Sequence, residues 1–132
     1  MLRVFVYGTL KPGQVNYDRY CGDRILQALP AQVRGRLFHL SLGYPGMTSG
    51  DAWVQGYLLQ FADESALLAL DRLEDYQPQR PEAHNEYQRR EAEVFGQDGR
   101  SLGFAWAYFM TPQKIQEYDG KWIASGVWHL EF

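Results

Sequence analysis

The sequence predicts an α+β domain in which one clear helix accompanies a small closed or nearly closed sheet. Three observations carry this. The 132 residues include 4 Trp, 9 Tyr and 7 Phe together with 13 Gly and 6 Pro, a composition that favours strands and tight turns over a helical bundle. About six short apolar or alternating runs read as strands, many for so short a chain, which favours a sheet that closes on itself. One stretch, after Asp63, has strong helical periodicity. Hydrophobic residues at 45% and charged residues at 22% exclude a disordered chain. The length predicts a single domain over residues 1–132.

Leu2–Tyr7 is β-branched or aromatic almost throughout and stops at Gly8, as a buried strand does. Gly8-Thr9-Leu10-Lys11-Pro12-Gly13 is a loop set by its glycines and proline. A short helix is expected over Asn16–Cys21 and a strand over Gln32–Leu40. Ser41–Asp51, rich in Gly, Ser and Pro, reads as a loop centred on Leu42-Gly43-Tyr44-Pro45-Gly46, followed by a strand over Trp53–Phe61. Asp63 reads as the N-cap of a helix running to Glu74, with Pro78 stopping what remains of it. Gln77–Asn85, polar with two prolines, reads as a flexible excursion. Tyr87–Phe95 and Leu102–Met110 form a hairpin around Gln97-Asp98-Gly99. Within it, Phe104, Trp106 and Tyr108 share one strand face and Ala105, Ala107 and Phe109 the other. Ile115–Phe132 holds a short helix and a final strand.

The formal charge is −3, with 13 Lys+Arg against 16 Asp+Glu, so no basic surplus exists to bind a phosphate backbone, and no nucleic-acid partner is expected. The aromatics alone would suit single-stranded nucleic acid, but the acidic balance opposes it. The one cysteine, Cys21, excludes an internal disulfide framework and a cysteine-based zinc site. No run approaches the roughly 20 apolar residues of a membrane span, and the N-terminal apolar burst is too short for a signal peptide. A reducing cytoplasm is the default compartment. His39, His84 and His129 share no metal-ligand spacing, and no metal site is expected. Ser41, Ser49 and Ser125 sit in no nucleophile elbow, and Gly8–Gly13 lacks the Gly-Lys-Ser/Thr ending of a phosphate loop.

Three places carry candidate chemistry. At Tyr7-Gly8-Thr9-Leu10, Gly8 tolerates positive φ and lets a ligand approach the backbone, and successive N–H groups there form an anion cradle. The alternative is a plain turn containing glycine. On the helical wheel, at about 100° per residue, Leu67, Leu70, Leu73 and Ala66 share one face, and Glu74 falls inside that stripe. Asp71 lies near its edge, with Arg72 and Asp75 outside. An inward carboxylate must be paired, hydrogen-bonded or functional, and burial raises its pKa toward that of a general base. The alternative is a last-turn residue that escapes to solvent. Third, Tyr87 and Arg89 share a strand face; the alternative there is a Tyr packed in the core and an Arg paired with a surface acid.

Taken together, Val4-Phe5-Val6-Tyr7-Gly8-Thr9-Leu10-Lys11-Pro12-Gly13-Gln14 with Asn16 behind it resembles the opening of the γ-glutamylcyclotransferase-like (AIG2-like) family, with the γ-glutamylaminecyclotransferase members closest in motif. The resemblance continues through Tyr44-Pro45-Gly46, Val54-Gln55-Gly56-Tyr57, Leu70-Asp71-Arg72-Leu73-Glu74, Tyr87-Gln88-Arg89 and Ala105-Trp106-Ala107-Tyr108, covering about residues 3–110. It implies a small mixed β-barrel with short flanking helices. It also implies a cofactor-free release of 5-oxoproline from a small-molecule γ-glutamyl substrate. Tyr7, Gly8, Thr9 and Leu10 would then hold the γ-glutamyl group and Glu74 would be the catalytic base. A monomer or weak homodimer is expected. The stretch between Glu74 and Tyr87 is longer than in compact members, and the last twenty or so residues add nothing to the resemblance. The competing reading is a non-catalytic, carboxylate-binding module on the same fold.

Overall fold

The computed structural model describes residues 1–129, so the end of the expected final segment, 130–132, lies outside the described residues. Among the described residues, six strands, numbered in chain order, form one mixed sheet in the order β3-β1-β5-β4-β2-β6, and an additional β2–β3 pairing curls it into a ring. Strand β1 (Leu2–Val6) pairs antiparallel with β3 (Pro45–Phe61) from Leu2↔Phe61 to Val6↔Tyr57, and parallel with β5 (Ser101–Phe109) at Val4↔Trp106. Strand β4 (Gln88–Phe95) pairs with β5 as the expected hairpin and meets β2 (Ile25–His39) at Gln32↔Phe95. Gly99, at φ +86°, turns that hairpin.

The alternation of β1 explains its apolar run, broken only by Arg3, which donates to the Phe104 and Leu102 carbonyls. Leu2, Val4 and Val6 join one buried cluster with Leu59, Phe61, Ala66 and Leu70. Phe5 and Tyr7 point the other way, into a second cluster with Val33, Leu37, Val54, Leu58, Ala105, Ala107 and Phe109. A strand buried on both faces carries no polar alternation. The predicted face division of β5 holds, with Ala105, Ala107 and Phe109 in the second cluster and Phe104 left exposed.

Several boundaries differ from the sequence reading. Residues 45–51, expected in a loop, are the first part of β3, whose pairing with β2 runs from His39↔Pro45 to Ile25↔Phe61. Pro45 is the first strand residue, where a missing N–H is tolerated. Gly46 is small because a Cβ there would stand 3.0 Å from Ile115 Cδ1 and Met110 Sδ. Its glycine serves close packing, not a turn. The short helix α1 is Tyr17–Tyr20, and β2 begins seven positions earlier than expected, at Ile25.

Helix α2 (Ser65–Leu73) begins where Asp63 accepts the Ser65 N–H at 2.9 Å, with Glu64 in the N-cap position. It ends before Pro78. The Asp75 N–H donates to the Arg72 carbonyl at 3.2 Å and the Tyr76 N–H to the Asp71 carbonyl at 2.9 Å, with Asp75 at φ 51°. This Schellman-type pattern leaves Glu74 at the C-cap. Beyond it, Gln77–Asn85 is not a loose excursion. Buried Asn85 accepts from the Gln77 N–H at 3.0 Å and from Arg80 Nε at 2.7 Å, and returns Nδ2–H to the Gln77 carbonyl at 3.2 Å.

After β5 come helix α3 (Pro112–Glu117), capped by Thr111, and β6 (Lys121–Trp122) on the edge of β2. Trp128 then inserts fully into the second cluster, its Nε1–H donating to His39 Nδ1 at 3.1 Å. The Lys11 ammonium donates to the Trp128 carbonyl, and burial lowers its pKa.

Candidate functional site

Where β1 runs out into its loop, beside the C-terminal end of α2 and the start of β4, lies a cavity of about 320 Å³. Pockets of roughly 300–1,000 Å³ suit small ligands. Its wall includes Tyr7, Gly8, Thr9, Leu10 and Glu74, the five residues that the family resemblance assigns to the site, and Tyr87 of the third candidate pair, but not Arg89. Asn16, Tyr44, Pro45, Glu86 and Tyr108 contribute as well.

The loop is shaped by its own hydrogen bonds. The Lys11 N–H donates to the Gly8 carbonyl at 3.0 Å and the Asn16 N–H to the Thr9 carbonyl at 2.9 Å. Asn16 Nδ2 donates to Thr9 Oγ1 at 2.9 Å, leaving the threonine hydroxyl hydrogen free to point elsewhere. Among the described residues, no acceptor takes the N–H groups of Gly8, Thr9 or Leu10. The reason for glycine at position 8 differs from the sequence reading. Gly8 is not among the residues with positive φ. A Cβ there would stand 2.7 Å from Pro45 Cγ, so close approach of the Tyr44-Pro45 segment requires the missing side chain.

The two inward carboxylates of α2 meet different fates. Asp71 accepts from Arg89 at 2.8 Å and from the Tyr108 hydroxyl at 2.7 Å. Arg89 also lies over the rings of Trp106, at 4.7 Å, and Tyr76, at 5.3 Å. Asp71 is therefore the structural acid, and Arg89 pairs with it in a mostly buried bridge, not with a surface acid. Glu74 has no such partner among the described residues. Its carboxyl lines the cavity, and its pKa is pushed up to about 8, first by burial and then by the nearby charge of Glu86.

Tyrosines close the remaining walls. The Tyr7 hydroxyl donates to the Tyr108 carbonyl at 2.7 Å, and the Tyr87 hydroxyl to the Pro45 carbonyl at 2.6 Å. Burial, reinforced by the carboxylates nearby, raises both pKa values well above the ordinary phenol range. Tyr44 is pushed up to about 12 by burial and then by Glu86. These phenols stay neutral at physiological pH.

Sequence reasoning missed Glu86. No periodicity marks it, because the Asn85 clamp and a bond from the Glu86 N–H to the Asp75 carbonyl, at 3.1 Å, bring it back beside Glu74. The only available signal was its place next to Tyr87.

The chain matches known proteins over most of its length. The family model described as Gamma-glutamyl cyclotransferase, AIG2-like, matches residues 4–130. The Gamma-L-glutamyl-butirosin B gamma-glutamyl cyclotransferase of Niallia circulans is 32% identical over 108 residues, 82% of this chain and 67% of that protein. Among solved structures, an AIG2-like protein from Mus musculus superposes with a TM-score of 0.72 at 24% identity, covering 100% of this chain and 90% of the other. Protein ytfP from Escherichia coli gives 0.65 at 26% identity, covering 96% of each. No helix among the described residues is long and apolar enough to cross a membrane. The family match takes in both the glycine loop and the helix-end glutamate: the chain belongs to the AIG2-like γ-glutamyl cyclotransferase family and is an enzyme of that type.

Proposed function

We propose that the protein converts a γ-glutamyl amide to 5-oxoproline and the free amine, with Glu74 as general base. The observation that carries this reading is the Glu74 carboxyl, unpaired among the described residues, on the wall of a cavity also lined by Gly8, Thr9 and Leu10, whose N–H groups meet no acceptor there.

The donor's α-amine attacks its own γ-carbonyl. The ring C–N bond forms, and the C–N bond to the leaving amine breaks. No second reactant is needed, and folding the donor into attack geometry can supply up to about 7–11 kcal/mol. The attacking amine must first lose a proton. An α-amine titrates near ~7.7–8.0 and a free Glu near ~4.3, a mismatch of about 3.5 units or about 4.8 kcal/mol. At about 8, Glu74 matches the amine. The acquired proton then passes to the departing nitrogen. The loop N–H groups suit an anionic oxygen, whether the donor's α-carboxylate or the oxyanion growing on the γ-carbonyl. The neutral tyrosines supply an apolar wall that keeps Glu74 poorly solvated.

Incubation with γ-glutamyl-ε-lysine, γ-glutamyl alkylamides, γ-glutamyl amino acids and glutathione, followed by chromatographic assay for 5-oxoproline, tests the reading. Release from at least one donor is expected. A folded protein that releases none from the whole set refutes it.

A further inference from the structure

Resting on the cyclotransferase reading, we propose that Glu86 recognises an ammonium group of the donor. Charge balance in the cavity is the starting point. Its wall contains two carboxylates, Glu74 and Glu86, and no Lys, Arg or His. The nearby guanidinium groups are engaged elsewhere: Arg80 with Asn85 and Asp75, Arg89 with Asp71. Glu86 Oε1 is fully buried and meets no hydrogen-bond donor among the described residues. A buried acceptor left unmatched is costly, and a carboxylate oxygen more so than a neutral one. The Tyr118 hydroxyl lies within reach of the same carboxyl, but Oε1 is left without a donor, and an ammonium on the ligand would supply one.

The position of Glu86 is set by the fold. Its N–H is tied to the Asp75 carbonyl, one residue beyond Glu74, and the Asn85 clamp holds the preceding turn. The two carboxyl groups are thus presented together, one to take a proton and the other to hold a positive charge. The aromatic rings of Tyr44 and Tyr87 line the same space, and such faces favour a cation over bare hydrocarbon. Two sources can bring the ammonium: the glutamyl head itself, or a second amine at the far end of the leaving group.

The test uses Glu86→Gln, which keeps shape and removes charge, and two donors of matched length. In one the leaving amine is 1,4-diaminobutane, ending in an ammonium; in the other it is n-pentylamine. A hydrogen bond to a charged group corresponds to about 10- to 100-fold in binding. A KM rise of that size confined to the diamine donor places the ammonium on the leaving arm. An equal rise for both donors places it on the glutamyl head. KM values within twofold of wild type on both donors, or a loss falling on kcat alone, overturn the proposal. Glu86→Asp retains the charge and is expected to recover part of the KM loss; no recovery in a variant that melts like wild type also counts against it. If wild type releases 5-oxoproline from neither donor, the cyclotransferase reading fails on its own. Calorimetric titration of the same two amides into wild type and Glu86→Gln then still reads the ammonium contact.

Discussion

Glu74 and Asp71 sit three positions apart on one helix, and their neighbours divide their roles. Asp71 has a guanidinium and a phenol; Glu74 has a cavity. Removing Asp71 strands Arg89, so Asp71→Ala is expected to lose about 3–5 kcal/mol of stability in denaturant unfolding. Glu74 behaves in the opposite sense. Its folded pKa, about 8, lies above the ordinary 4.5. Between those values the native state binds more protons than the unfolded chain, so stability falls as pH rises through this window. Glu74→Gln removes that penalty. Its melting temperature should match wild type near pH 5 and exceed it near pH 9; parallel melting profiles for the two proteins would contradict burial of the acid. In wild type, kcat/KM should rise with pH through about 8 as the base loses its proton. Glu74 was legible in the sequence because helical periodicity alone turns it inward. Glu86 was not, because its placement depends on hydrogen bonds that reach across the Gln77–Asn85 turn.

At the level of elements, the helix end and the glycine loop matter most. Asp75 at φ 51° ends α2 and fixes the direction in which Glu74 leaves it. A β-branched residue tolerates that conformation poorly, at a cost of about 1–2 kcal/mol. Asp75→Val is therefore expected to lose that much stability and to lower turnover as well, because Glu74 and Glu86 both hang from this corner. At the loop, a methyl group on Gly8 would collide with Pro45. Gly8→Ala should raise KM through displacement of the loop or the Tyr44-Pro45 segment, read by steady-state kinetics. The strands, the main helix and the β4–β5 hairpin could be read from alternation, periodicity and turn residues. Residues 45–51 could not, since proline, glycine and serine normally punctuate loops. Here Pro45 occupies a strand start, and Gly46 makes room for Met110 and Ile115. Those contacts are remote in sequence and leave no local trace.

The molecule as a whole holds the site by closing a ring whose strands come from distant parts of the chain. Val4 pairs with Trp106, and Gln32 meets Phe95. Trp128 is fully buried in the second cluster, which also holds Val33, Val54 and Ala105, a role that nothing in the tail's residue pattern led one to expect. Trp128→Ala is expected to cost about 3–5 kcal/mol, seen as a lower midpoint in thermal or denaturant unfolding. Lys11, donating to the Trp128 carbonyl, ties this plug to the loop that begins at Gly8. Loosening the tail should therefore weaken donor binding as well as stability.

The most direct measurement is 5-oxoproline release by wild type and Glu74→Gln under saturating donor, with donor affinity determined for both proteins. With Glu74 as the base, kcat falls about 10²–10⁴-fold while affinity stays within a few fold. A glutamine variant that binds the donor and turns it over at the wild-type rate would show that another group removes the proton.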